Sequence, residues 1–322
     1  MYEKFYHLKR SPFAITPDPS FLFPTRRHNE ALAALYYGVR WHKGFVVLTG
    51  QVGTGKTLLL RCLLQLLKQS KDVAYAYLFS SRLSPFEFLQ YIVSDFGLST
   101  AGKNKGELLL DLCNFVVDRG LKNLTTVLIV DEAHHLSVEA LEEVRLLTNL
   151  ETADKKLLQI VLAGQPELDD KLDSAKLTQL KQRIAIRSHL EPLGVDETQA
   201  YIERRMHLVG ANSHAEVIFP SRTVSSIYRY SQGIPRLINT ICENALLSAY
   251  AKQMQTVTPE IIDEIAEDFR LNVVRLPETE TTDGFDAIEI QQAAKILINL
   301  YSSMHKSNVS KIESTLPQAR QA

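Results

Sequence analysis

Short apolar runs alternate with helical patterns along the first 190 residues. The runs lie at 45–49, 73–79, 127–130, 158–163 and 184–190, and the first four are almost wholly apolar. Strands without polar alternation are typical of parallel sheets that are buried on both faces. The pattern therefore predicts an α/β domain over residues 25–191, built on a five-stranded parallel sheet with helices on both faces. One of these helices is expected from Glu107 to Arg119, ended by Gly120.

The pattern changes near residue 192, where helical patterns follow one another without strands. Helix starts are expected near Asp196, Ser221, Pro235 and Thr258. Consecutive helices without strands predict a separate all-α domain over 192–272. At the other end, residues 1–24 are rich in proline and aromatic side chains, which predicts an extended arm that packs by its rings.

The last fifty residues form a third region. Residues 273–286 are polar and without apolar periodicity, which predicts a linker. Residues 287–306 are expected to form an amphipathic helix, and 307–322 a disordered tail. The helix carries one apolar stripe, made by Ile290, Ala294, Leu297, Tyr301 and Met304. Docking on a partner protein and folding back on its own domain both stay open for this helix.

A glycine-rich loop lies between the first apolar run and a leucine-rich helical pattern. It reads Gly50 to Thr57 and matches a phosphate-binding loop in the strand–loop–helix context that such a loop requires. The glycines let backbone N–H groups approach phosphates, and Lys56 can neutralise the β- and γ-phosphates. The residues expected to bind nucleotide are Gly50, Gln51, Val52, Gly53, Thr54, Gly55, Lys56, Thr57, Leu58 and Asp131.

Two acids follow the third apolar run. Asp131 and Glu132 end a buried strand, where unpartnered carboxylates are costly, so a cation and a reacting water are the partners that fit. We expect Asp131, together with the Thr57 hydroxyl, to hold Mg²⁺. We expect Glu132 to activate the water that attacks the γ-phosphate of a bound nucleotide. The pair predicts hydrolysis as well as binding.

Charge and cysteine content narrow the class of protein. The formal net charge is −1, which gives no global attraction to nucleic acid or anionic membranes. The three cysteines are widely spaced in apolar helical patterns and fit the core of a protein in a reducing compartment. No run reaches the roughly 18 apolar residues of a membrane span. We therefore expect a cytoplasmic protein.

Other polar residues are candidates for sensing or stabilising phosphate. Gln165 follows the fourth apolar run, beside the predicted loop, where it can sense the γ-phosphate. Arg183, Arg187 and Arg236 are candidates for stabilising phosphoryl charge, because a guanidinium is planar and always protonated. His134 and His135 are interpreted as hydrogen-bonding residues rather than metal ligands.

On these residues the chain resembles the AAA+ ATPases of the general secretion pathway protein A type, which are related to transposition ATPases. The resemblance spans residues 2–270 and rests on the segments 12–13, 16–19, 50–57, 130–134, 162–168, 182–184 and 233–239. It implies an AAA+ core, in which the acid-bearing strand is not adjacent to the phosphate-loop strand, followed by a helical lid.

The resemblance also implies roles for single residues. Gln165 would be the first sensor and Arg236, from the lid, the second. Arg183, or else Arg187, would be a finger that acts on a neighbouring subunit, which implies homo-oligomeric rings or filaments.

Two functions are therefore open. The first is a Mg²⁺-dependent ATPase that remodels or assembles a protein complex in bacterial secretion, pilus or polysaccharide export. The second is an ATP-gated DNA-binding regulator of the transposition type. The net charge favours the first, whereas Lys171, Lys176, Lys181 and Arg183 could form a local basic patch for DNA.

Overall fold

The computed structural model describes residues 1–79, 83–211 and 215–271. Its five strands are β1 (Phe45–Gly50), β2 (Val73–Phe79), β3 (Thr125–Asp131), β4 (Leu158–Gly164) and β5 (Ile186–Leu190). They form one parallel sheet in the order β2-β3-β4-β1-β5. Each strand begins and ends within two residues of its predicted bounds, so the predicted sheet is confirmed. The predicted linker 273–286, helix 287–306 and tail 307–322 lie outside the described residues.

Thirteen α-helices occur in the described ranges. Up to β5 these are α1 (Tyr2–Phe5), α2 (Arg26–Arg40), α3 (Lys56–Lys68), α4 (Pro85–Asp95), α5 (Lys105–Leu121), α6 (Val138–Leu147), α7 (Glu167–Asp173) and α8 (Thr178–Lys181). After β5 they are α9 (Val195–Leu208), α10 (Ala215–Ile218), α11 (Ser221–Ser231), α12 (Pro235–Ala251) and α13 (Pro259–Asp268). The change from strands to helices thus falls between β5 and α9. None of the described helices has the length and apolarity that a membrane crossing needs.

The sheet has a buried core on each face. In β1, Phe45 and Val47 pack with side chains of α4, α5 and α6. The alternate residues Val46 and Leu48 pack on the opposite face with side chains of α2 and α3. Successive strand residues point to opposite faces, so an uninterrupted apolar run supplies both cores at once. This explains why the strands show no polar alternation.

A further core joins the N-terminal arm to the C-terminal helices. The rings of Tyr2, Tyr6 and Phe13 are buried among side chains of α9, α11, α12 and α13. The Tyr2 hydroxyl donates to Glu243 Oε1 at 2.7 Å. The arm, which we predicted to be extended, contains the short helix α1 and a 3₁₀ turn at Pro19–Phe21. Its proline content alone did not reveal these two turns.

Gly120 does not end α5, contrary to our prediction. The helix begins after the cap Asn104, whose side chain accepts from the Glu107 N–H, and it continues to Leu121. A Cβ at Gly120 would lie 2.5 Å from the side chain of Leu157. The absence of a side chain at Gly120 therefore provides room for Leu157. The rule that glycine ends helices cannot anticipate such a packing contact.

Candidate nucleotide-binding site

The loop between β1 and α3 adopts left-handed backbone conformations at two of its glycines. Gly53 and Gly55 have φ values of +83° and +104°, which L side chains rarely adopt. A Cβ at Gly53 would lie 2.7 Å from the Cβ of Arg236. The Thr54 hydroxyl donates to the Gln51 carbonyl at 2.8 Å and braces the loop. The loop delivers the chain directly into the first turn of α3, where N–H groups without helical partners favour anions.

Lys56 points back into the loop. Its ammonium group donates to the Gly50 and Gln51 carbonyls at 2.7 and 2.9 Å, and the residue is only 5% exposed. Burial lowers the pKa of Lys56, while the nearby carboxylates of Glu132 and Asp131 act in the opposite direction. A buried cation beside a loop of this shape favours an anionic ligand.

Asp131, at the end of β3, collects three hydrogen bonds. Its carboxylate accepts from the Thr57 hydroxyl at 2.8 Å and from the Tyr77 hydroxyl at 3.0 Å. It also accepts from the Glu132 N–H at 2.9 Å. The strand β4 lies between β3 and β1, so the acid-bearing strand is not adjacent to the strand before the loop, as the resemblance implied. The Thr57 hydroxyl and the Asp131 carboxylate together offer the oxygen donors that Mg²⁺ prefers.

Glu132 follows in an unusual backbone conformation. Its φ is +51°, in the left-handed region that few residues other than glycine adopt. Its Oε2 atom is buried and accepts no hydrogen bond from the described residues. His134 Nδ1 lies 3.4 Å from this oxygen. A buried carboxylate oxygen without a donor suits a group that must accept a proton from a reacting water.

Gln165 follows β4 and contacts His134. Its side-chain nitrogen lies 2.9 Å from His134 Nε2, and its N–H donates to His134 Nδ1 at 3.4 Å. Burial, and after it the neighbouring His135, lowers the pKa of His134. Its imidazole is therefore neutral at pH 7. Both ring nitrogens of His134 thus have polar neighbours.

The helix α12 contacts the loop with its first turn. The N–H of Arg236 donates to the Gly53 carbonyl at 3.2 Å. The Arg236 side chain is exposed and lies close enough to Gly53 that a Cβ there would overlap it. The C-terminal helices therefore reach the loop directly at Arg236.

Comparisons with known proteins agree with this geometry. A family model described as an AAA domain matches residues 39–172. General secretion pathway protein A of Aeromonas hydrophila is 44% identical over 256 residues, which are 78% of this chain and 45% of that protein. The ORC2 protein of Aeropyrum pernix has a similar fold, with a TM-score of 0.60 and 19% identity over 81% of this chain and 72% of that one. This chain contains an AAA domain and has an AAA+ fold.

A second curated relative of this AAA+ chain acts in another process. The Mu-like prophage FluMu DNA transposition protein B of Haemophilus influenzae (strain ATCC 51907 / DSM 11121 / KW20 / Rd) is 29% identical over 156 residues. The match covers 47% of this chain and 50% of that protein. The chain therefore spans half or less of the length of each of these two curated relatives. The activity of either full-length relative is not assigned to this chain by the match.

The structure does not bring Arg183 or Arg187 into this site. Arg183 donates to the Thr148 hydroxyl at 3.2 Å and lines a cavity of about 350 Å³ with Gly44 and Phe45. These residues lie at the start of β1, whereas the loop follows the end of that strand. Arg187 forms ion pairs with Asp169 and Asp173 at 3.4 and 3.6 Å. Neither arginine contacts the loop of its own chain.

Sequence reasoning missed two residues that support this AAA+ site. Tyr77 on β2 binds Asp131, as described above. His28 on α2 contacts the loop through its Nε2 atom, 3.0 Å from the Thr54 carbonyl, and its Nδ1 atom lies 2.7 Å from the Thr25 hydroxyl. Burial lowers the pKa of His28, so the neutral ring donates to Thr54 and accepts from Thr25. No local motif marks either residue, because both contacts join distant parts of the chain.

Proposed function

We propose that this AAA+ chain hydrolyses ATP in a Mg²⁺-dependent reaction. One observation carries the proposal: the Thr57 hydroxyl and the Asp131 carboxylate lie 2.8 Å apart, and Glu132 follows with a buried oxygen that no described residue hydrogen-bonds. A binding loop alone would not require this second carboxylate. The ORC2 protein, whose fold is similar, has a solved structure of its complexes with ADPNP and ADP. This supports an adenine nucleotide as the ligand.

The residues of the chain would divide the reaction between them. The Lys56 ammonium group would give up its hydrogen bonds to two loop carbonyls and donate to the phosphates instead. The phosphates carry a full negative charge, whereas the carbonyls offer only dipoles. Thr57 and Asp131 would hold Mg²⁺, which neutralises charge on the β- and γ-phosphates when it is bound. Glu132 would accept the proton of the attacking water. Gln165 and Arg236 would contact the γ-phosphate from β4 and from the lid.

The proposed metal site is tested by replacing Thr57. We expect Thr57→Ala to raise the Mg²⁺ concentration needed for half-maximal ATP hydrolysis by roughly tenfold or more, because one oxygen ligand is lost. Thr57→Ser keeps the hydroxyl, so it should need the same Mg²⁺ concentration for half-maximal hydrolysis as the unmodified chain. The measurement is a Mg²⁺ titration of phosphate release, with EDTA as the zero point. Equal titrations for Thr57→Ala and Thr57→Ser would remove Thr57 from the metal site.

We propose that hydrolysis serves the remodelling or assembly of a protein complex in bacterial secretion, pilus or polysaccharide export. The 44% identity to general secretion pathway protein A supports this assignment. The partner would be a protein of the export apparatus, and the chain would act in the cytoplasm, at the inner membrane through that partner. Capture of defined export proteins in the presence of ATP, and their release with ADP, is the behaviour we expect.

A second candidate function is ATP-gated DNA binding. The 29% identity to DNA transposition protein B supports it. Fluorescence anisotropy with labelled duplex DNA separates the two functions. ATP-dependent binding that weakens steeply with salt would favour the DNA function, because phosphate contacts release counterions. Equal, weak anisotropy with ATP and with ADP would favour the export function.

We propose that hydrolysis requires an oligomer, a ring or a filament, in which Arg183 reaches the nucleotide of a neighbour. Two observations support Arg183 over Arg187. Arg183 lies at the opposite end of β1 from its own loop and is held by a hydroxyl, whereas Arg187 is paired with two carboxylates. An arginine so placed has no route to the nucleotide of its own chain.

A mixing experiment tests this trans role. We expect Arg183→Ala to bind ATP normally and to hydrolyse it at least about tenfold more slowly, because the developing phosphoryl charge loses a cation. Mixing it with Glu132→Gln should recover activity, since some interfaces then combine an intact Glu132 with an intact Arg183. Arg187→Ala is the matched control. Absence of recovery, in mixtures whose co-assembly is verified by light scattering, would contradict a composite site.

A further inference from the structure

The Tyr77 side chain reaches the end of β3 from the neighbouring strand, β2. Tyr77 pairs with Ile129, two positions before Asp131, and packs on the face of the sheet that α2 and α3 cover. Residues two positions apart on a strand share a face, so the phenol and the acid lie on the same side of the sheet. The Tyr77 hydroxyl donates to Asp131 Oδ2 at 3.0 Å. A residue outside the loop and outside β3 thus contacts the carboxylate that is proposed to hold Mg²⁺.

Three donors orient the Asp131 carboxylate. The Thr57 hydroxyl shares Oδ2 with Tyr77, at 2.8 Å, and the Glu132 N–H donates to Oδ1 at 2.9 Å. An ionised carboxylate offers about four lone-pair positions, so these hydrogen bonds leave room for a further ligand. Thr57 is itself proposed to bind Mg²⁺, which gives its oxygen a second task. Tyr77 then remains, together with the Glu132 N–H, to orient the carboxylate.

Tyr77 is held in place by its own contacts and remains a donor at neutral pH. Its N–H donates to Asp95 Oδ2 at 2.6 Å, at the end of α4. Its ring packs against the core on the α2 and α3 face. Burial, and after it the charge of Asp131, raises the pKa of the Tyr77 phenol. The hydroxyl therefore keeps its hydrogen at pH 7 and can donate it to the carboxylate.

We propose that Tyr77 is a positioning residue for Mg²⁺, whose hydroxyl holds the Asp131 carboxylate in the orientation in which the acid binds the ion. The inference rests on the proposed Mg²⁺-dependent function and extends it to a residue of β2. A hydrogen bond to a ligating carboxylate fixes the orientation of the ligand and raises the affinity of the site for the metal. Tyr77 acts through Asp131 and is not itself a ligand.

Binding of the non-hydrolysable ATP analogue ADPNP to the full chain tests this role without turnover. Tyr77→Phe removes only the hydroxyl. In EDTA, the variant should bind ADPNP as tightly as the unmodified chain, because the loop and Lys56 are intact. The Mg²⁺ concentration that gives half of the Mg²⁺-dependent gain in ADPNP affinity should rise by roughly tenfold or more, the usual cost of losing a hydrogen-bond partner of a metal ligand. Isothermal titration at a series of Mg²⁺ concentrations measures both quantities.

Tyr75→Phe is the matched control. Tyr75 lies two positions earlier on β2, packs against the same core and pairs with Val127, four positions before Asp131. Its substitution removes the same hydroxyl from the same face of the sheet, so its Mg²⁺ requirement should equal that of the unmodified chain. An unchanged requirement in Tyr77→Phe, or an equal rise in Tyr75→Phe, would overturn the positioning role. A loss of ADPNP affinity in EDTA would also overturn it, since the hydroxyl would then support the loop and not the metal.

A double-mutant cycle tests the route through Asp131. At one fixed Mg²⁺ concentration, Tyr77→Phe should weaken ADPNP binding in the unmodified chain but cause no further loss in the Asp131→Asn background, because both substitutions break the same contact. Additive losses would overturn the route. If Mg²⁺ leaves ADPNP binding by the unmodified chain unchanged, the proposed Mg²⁺ site is overturned, and the inference with it.

Discussion

Lys56→Ala is expected to lower ATP affinity by about a hundredfold or more, because charge-assisted hydrogen bonds to phosphate contribute roughly 1.5–3 kcal/mol each. Hydrolysis should become undetectable at millimolar ATP. In the described state the ammonium group donates to two loop carbonyls and is buried at a desolvation cost. Removing it should therefore change thermal stability far less than it changes nucleotide binding.

Lys68→Ala is the matched control for this prediction. Lys68 lies in the last turn of the same helix, α3, and its side chain is exposed. The substitution Lys68→Ala removes the same charge as Lys56→Ala, at a position that does not contact the loop. Isothermal titration with ATP and with ADP should show full affinity for Lys68→Ala. Equal affinities in the two variants would show that the phosphates are not bound at Lys56.

Glu132→Gln is expected to bind ATP with unchanged affinity and to hydrolyse it about 10² to 10⁴ times more slowly, the range that one general base contributes. The substitution keeps the shape of the side chain and removes only its capacity to take a proton. The bound ATP should then persist, so the variant should also accumulate in the ATP-dependent oligomer. Size-exclusion chromatography with light scattering measures this accumulation.

Glu139→Gln is the matched control for the second prediction. Glu139 lies seven positions further along the chain, in the first turn of α6, and is exposed. Its replacement changes the same charge without reaching the site, so its turnover should equal that of the unmodified chain. A Glu132→Gln variant that turns over as fast as Glu139→Gln would remove Glu132 from the mechanism.

The sequence predicted those parts of the site that local patterns encode. The run before Gly50 and the helix after Thr57 placed the loop, and the acids after the third run placed Asp131 at the correct edge of the sheet. Both predictions rest on short segments, in which the length of the strand and the positions of the glycines largely determine where the next residues lie. The five strands were predicted within two residues for the same reason.

The missed parts depend on contacts between distant segments. Tyr77 reaches Asp131 only because β2 pairs with β3 in a register that places Phe79 opposite Asp131. His28 reaches Thr54 across 26 positions, and Gln165 reaches His134 across 31. No single-sequence periodicity reports such registers.

The arm and Gly120 show the same limit in the fold. Tyr2 hydrogen-bonds Glu243, 241 positions away, so the first residues of the chain complete a core built by its last described helices. A composition-based domain division separates these two segments. Gly120 makes room for Leu157, so packing, not helix termination, explains the glycine.

Single-turnover hydrolysis tests the central claim most directly. Excess protein is mixed with labelled ATP, first without divalent cation and then with Mg²⁺, and the bound nucleotide is analysed over time. The account predicts that ATP bound without Mg²⁺ stays intact, and that Mg²⁺ converts it to ADP and phosphate in the unmodified chain but about 10² times more slowly in Glu132→Gln. ATP that stays bound and intact in the unmodified chain with Mg²⁺, in the assembled oligomer, would contradict it.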